Sequence, residues 1–217
     1  MKRLGIVVSI IAILVLSFAC GGSEKSARAF SDAELAAIVS PVPQNLSFQV
    51  ALQSDAAITN EEAARTFTDS KKWLDNYERW GRSGGHTASF GAAGLRDASL
   101  QAQVEAYATV EGATEALSGV RDVMTSGEAL ATYSRLGYTD ANIEVIDAAQ
   151  VGDDSTAYLL TVTLEGTRFD TLVLIFRRGP VIGQASVGAQ PDTGNTSDVE
   201  AIASQMDGRI QAYLSGG

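Results

Sequence analysis

The chain has one cysteine, Cys20, and one histidine, His86, among its 217 residues. A lone thiol cannot close an internal disulfide, and the pair cannot supply the three or four His, Cys or carboxylate ligands of a patterned zinc site. Basic residues are scarce as well, with 16 Lys and Arg against 26 Asp and Glu. Without clustered cations to neutralise phosphates, nucleic acid is disfavoured as a partner, and so is adhesion to anionic lipid through a basic patch. No segment repeats and no tract is of low complexity. No pattern calls for a cofactor.

Apolar residues, by contrast, are concentrated at the start. Met1-Lys2-Arg3 precedes an unbroken stretch from Leu4 to Ala19, and Cys20-Gly21-Gly22-Ser23 follows. A cationic head, a hydrophobic run and a small residue before a break make an export signal. The run is shorter than the roughly 20 residues of a membrane-spanning helix. Cys20 falls where it stops, and Leu16-Ser17-Phe18-Ala19-Cys20 resembles the box at which bacterial lipoprotein signals are cleaved and lipidated, although Ser17 stands where that box favours a branched aliphatic residue. The reading is a signal peptide over 1–19, a lipidated tether over 20–30, and attachment through Cys20 to the bacterial cell membrane or outer membrane. The same run would also serve as an uncleaved anchor, and plain secretion would leave the thiol free. Loss of residues 1–19 leaves 14 basic and 26 acidic residues, a net charge of −12, so acyl chains must do the anchoring at about 0.8 kcal/mol per buried methylene.

The remainder is long enough for one substantial core. Ser31 with Glu34 and Thr59 with Glu62 have the spacing of capping boxes, and Ser197 with Glu200 has it again before a final helix. The second box predicts a helix running to Trp80, and Gly81 marks its exit. Leu46 to Leu52 reads as a first strand and 86–92 as a second. Apolar residues at even positions from Leu100 to Val110 predict a half-buried strand, and Ala113 to Met124 a helix. Strand signals recur at Ile143–Ile146, Ser155–Leu164, Arg168–Arg178 and Val181–Val187, with short links that make an antiparallel meander. The terminal helix presents Val199, Ile202, Ala203, Met206, Ile210, Tyr213 and Leu214 on one face. The expected fold is α+β: one domain over 31–217, an antiparallel sheet (meander plus hairpin) packed by helices.

Four groups of residues bear on chemistry. Gly81-Arg82-Ser83-Gly84-Gly85 satisfies G-x-S-x-G, but a nucleophile elbow needs a strand before the serine and a helix after it. Here helix, loop and strand follow in that order, and His86 is too close in sequence to be brought to Ser83 by a separate element. Asp153-Asp154 and the Asp192, Asn195, Asp198 series lack the glycine and terminal glutamate of a calcium loop; no metal site is expected. Trp73, Tyr77 and Trp80 share one helical face, which makes them core or, alternatively, the wall of a cleft for an apolar ligand. Arg177 and Arg178 end a strand, where they keep a turn soluble or receive an anion.

The segment from Phe176 to Ala189 (FRRGPVIGQASVGA), with DGRI at 207–210, resembles the ending of uncharacterised bacterial envelope lipoproteins. The element order over 86–214 is similar to the Mog1/PsbP-like fold of some of them. That resemblance implies an envelope domain and transfers no catalytic residue. The functional expectation is a membrane-tethered, non-enzymatic binding or accessory module for an apolar or amphipathic ligand or an envelope protein. The alternative is an envelope serine hydrolase using Ser83.

Overall fold

The computed structural model describes residues 29–67, 69–92, 99–189 and 195–216. The expected signal, Cys20 and most of the expected tether lie outside them, as does Asp192. Helix α1 (Asp32–Val39) opens on the Ser31–Glu34 capping box, with both reciprocal bonds made. Strand β1 (Val50–Ile58) begins four residues later than the sequence pattern suggests. It is an edge strand with seven consecutive exposed residues, so alternation never marks it. The Thr59–Glu62 box starts α2 (Asn60–Ala64), but that helix stops at Arg65 and a separate α3 (Ser70–Arg79) restarts where Asp69 accepts from the Lys72 amide. Gly81 then leaves the helix at φ 67°, a left-handed conformation that costs glycine nothing.

Strands β2 (Arg82–Ala92) and β3 (Ser99–Tyr107) pair antiparallel. Thr109 caps α4 (Val110–Ser126), and α5 (Glu128–Arg135) follows. Then β4 (Thr139–Ile146), β5 (Asp154–Leu164), β6 (Thr167–Arg178) and β7 (Val181–Ala189) make the expected meander. Glu165 and Gly166, both at positive φ, form the two-residue link that matches the twist of a hairpin. Helix α6 (Thr196–Ser215) is capped by Asn195, whose side chain accepts from the Asp198 amide. The Ser197–Glu200 box is not used, because Glu200 instead accepts from the Ala149 amide.

The seven strands form one open antiparallel sheet in the order β1-β2-β3-β7-β6-β5-β4, with β3 and β7 joining a three-stranded meander to a four-stranded one. Helices cover both faces. On one, α1 and α6 bury Leu35, Ile38, Val39, Val199, Ile202 and Met206 against Phe90, Leu100, Val104, Leu174 and Phe176. On the other, α2 to α5 pack over Tyr107, Tyr158, Val173, Ile175 and Ile182, with a satellite of Tyr133, Leu160, Val162 and Phe169. Among the described residues no helix is long and apolar enough to cross a membrane.

Candidate functional site

The glycine-rich stretch after α3 turns the Arg82 guanidinium into the fold. The β2–β3 register shifts between Arg82 and Gly84, so Ser83 is the extra residue of a bulge. Its hydroxyl donates to the Ala106 carbonyl at 3.1 Å. The guanidinium of Arg82 turns inward with 0% of its side chain exposed, against Glu105 with 4%. Arg82 donates to Glu105 Oε1 at 3.2 Å and to Asn60 Oδ1 at 2.6 Å, and lies 4.9 Å from the centre of the Tyr77 ring. Glu105 also accepts from the Tyr107 hydroxyl at 2.7 Å and from Gln103 at 3.2 Å. Burial alone would lower the pKa of Arg82, but the charge of Glu105 and the two tyrosines hold it above its ordinary value. Burial, then the Glu105 carboxylate, push the Tyr107 hydroxyl well up. A Cβ on Gly85 would stand 2.5 Å from Arg82 Nη2; glycine there makes room for the guanidinium. The fifth position of G-x-S-x-G thus has a packing reason.

Trp73, Tyr77 and Trp80 lie inside the core beneath α3, each ring centre 5.7 to 6.2 Å from the other two. Phe67 stacks on Trp73 at 3.7 Å. All four are buried, so the stripe is packed rather than presented. His86 is also buried; its Nε2 pairs with the Asp55 carboxylate across β1 and β2. That hydrogen bond holds Asp55 below its usual range. Among the described residues, no three His, Cys, Asp or Glu side chains gather as a metal site would require.

The Arg177–Arg178 turn is neutralised from within the chain. Asp153 accepts from both arginines and from the Gly179 amide at 2.8 to 2.9 Å, and Asp207 takes the Arg178 fork with two bonds of 2.7 Å. Asp154, its neighbour, holds Arg121 in the same bidentate way. These aspartates accept from arginines, and both guanidiniums of this turn are paired with them.

What remains is a polar half-face on the α2–α5 side of the sheet. Directly paired residues share a face of the sheet. On the α2–α5 side one cross-strand row runs Ser54, Ser89, Gln101, Ser186, and the next runs Thr87, Gln103, Gln184. Both rows turn apolar at β6, where Val173 and Ile175 sit under the helices. The polar members belong to none of the three apolar clusters, yet Gln101, Gln184 and Ser186 are only 4%, 8% and 1% exposed. Gln101 donates to the Thr87 hydroxyl at 2.9 Å, while the Ser186 hydroxyl has no partner among the described residues. The one sequence signal for this surface was the uncharged, amide-rich odd positions of β3, Gln101 and Gln103.

No family model matches the chain, and no curated protein matches it either. Among solved structures, it is similar in chain path to the extracellular domain of PknH from Mycobacterium tuberculosis, with a TM-score of 0.46 and 10% identity over 85% of this chain and 98% of that one. An uncharacterised protein from Mycobacterium smegmatis gives 0.42 and 9% over 85% and 97%. No residue role passes between chains this far apart.

Proposed function

We propose that the protein is an exported module held at the envelope by lipid on Cys20, and that it binds a ligand without transforming it. The observation that carries the binding reading is the polar half-face. Side chains that could have been apolar core are amides and hydroxyls, and one of them, the buried Ser186 hydroxyl, has no partner among the described residues, at a cost of about 1–3 kcal/mol. Such a surface is retained at a cost to stability, which fits selection for contact with something else. The apolar-ligand version draws no support from the aromatic stripe, since its rings are filled in by their own neighbours. The tether reading rests on the signal run and the position of the sole cysteine.

Cell fractionation tests it. The wild-type protein should sediment with membranes and Cys20→Ser should appear in the soluble fraction. A variant that stayed membrane-bound with residues 1–19 attached would replace the lipid with a transmembrane anchor. A fluorophosphonate probe that labelled the wild type and not Ser83→Ala would overturn the non-enzymatic reading.

A further inference from the structure

We propose that the β4 edge receives an extended segment of a partner protein, one that alternates apolar with basic side chains. This surface is separate from the polar half-face and does not depend on it. Among the described residues β4 has a strand on one side only, β5. Its other side presents a row of backbone N–H and C=O groups, which water or a further strand must satisfy. Edges are commonly guarded by lysine, by proline or by being very short. No Lys, Arg or Pro occurs from Tyr138 to Ala149, and β4 is 8 residues long. Its one irregularity lies at the start, between Thr139 and Asn142, and leaves Asn142 to Ile146 in unbroken register.

The two faces of that run differ. Ile143 packs, partly buried, against the core on the α4–α5 side. Val145 lies on the same face two residues on, and at 64% it is the most exposed large apolar side chain among the described residues. The opposite face carries Glu144, exposed and accepting from Asn142 at 2.7 Å. Asp140 and Asp147 flank it, exposed as well. Among the described residues none of these three carboxylates is in an ion pair. An added strand sets its side chains alternately on the two faces. Apolar ones then fall beside Ile143 and Val145, and those between fall beside Glu144. Opposite charges across neighbouring strands attract and like charges repel, so three unpaired acids select lysine or arginine in the intervening places. A second copy of this chain is a poor match, because β4 against β4 brings two acidic edges together. The other edge, β1, also lacks a base, and its one carboxylate, Asp55, is engaged by His86.

Fluorescence anisotropy on the purified full-length protein, in nonionic detergent at low ionic strength, tests this. The probe is a capped, dye-labelled hexapeptide alternating valine and lysine. One comparator replaces its lysines with glutamate, and another carries a methyl group on every backbone nitrogen. The parent peptide should bind saturably and neither comparator should. Glu144→Lys and Val145→Lys, both at exposed positions, should each weaken binding roughly fivefold or more with the melting temperature unchanged. Glu61→Lys, at an exposed acid just after β1, should leave binding intact. Weakening by Glu61→Lys and not by Glu144→Lys would move the site to the β1 edge, and equal weakening by all three would reduce it to net charge. Either result overturns the proposal. So would a methylated peptide that binds as well as its parent, which removes strand pairing, an acidic peptide that binds as well, or no binding at all. A dimer of the protein alone in sedimentation velocity, dissociated by Val145→Lys, would put a second copy on this edge and overturn the partner.

Discussion

Arg82 and Glu105 are the two residues whose removal the fold will feel most sharply as a charge. Their side chains are 0% and 4% exposed, and stripping one partner leaves the other charged and dry. Glu105→Ala should therefore cost about 3–5 kcal/mol in urea unfolding, whereas Arg82→Met with Glu105→Leu together should cost far less. A single-variant cost below about 1 kcal/mol would mean that water reaches the guanidinium. Neither residue could be singled out from the sequence. Glu105 occupies an odd position of an alternating strand, where a carboxylate reads as solvated, and Arg82 sits in a motif whose glycines suggest a loop. What buries them is α2 and α3 folding back over β2 and β3, a tertiary event with no local trace. The aromatic stripe was legible as one helical face, and its three rings are buried together.

Elements with an apolar period or an unbroken apolar run were readable, and the exposed edge strand was not. Helix α4 and the strands β5 to β7 lie within a few residues of their expected limits because their apolar periods are unbroken. Strand β1 was misplaced because an edge exposed on both sides imposes no pattern. The single helix expected from Thr59 to Trp80 is two, since Asp69 offers a new cap in mid-segment. Helix α6 was right in its buried face and wrong in its cap, where Asn195 precedes the serine that matched the box. Its Ile202 is 1% exposed against the sheet. Ile202→Asp should lower stability by about 3–5 kcal/mol, the usual upper range for a buried unpaired charge, and differential scanning calorimetry will register the fall. An unchanged melting temperature would detach α6 from the core.

For the whole molecule, acid sensitivity follows from three aspartates that fasten elements together. Asp154 is held below its ordinary value near 3.8 by the hydrogen bond from Arg121. Asp153 is depressed too: burial opposes, but the Gly179 amide and the two arginines prevail. Asp55 is lowered by His86. Each folded-state pKa lies below the unfolded one, so each contribution is complete above about pH 4 and is lost as pH falls through the depressed values. The melting temperature should drop below pH 4, and Asp153→Asn should flatten that limb while lowering the plateau at neutral pH. An acid limb identical in slope to the wild type would remove Asp153 from the account.

The β3–β7 seam also dictates an order of events. Ser99 meets Gly188 and Leu100 meets Val187 across nearly the whole C-terminal half of the sequence, a long loop to close and hence a slow step. Until β7 arrives, β3 is an open border whose alternate residues, Leu100, Ala102, Val104 and Ala106, are apolar. A chain emerging N-terminus first keeps that border uncovered until nearly all of it has been made. While it waits, that uncovered apolar border is sticky enough to need an escort.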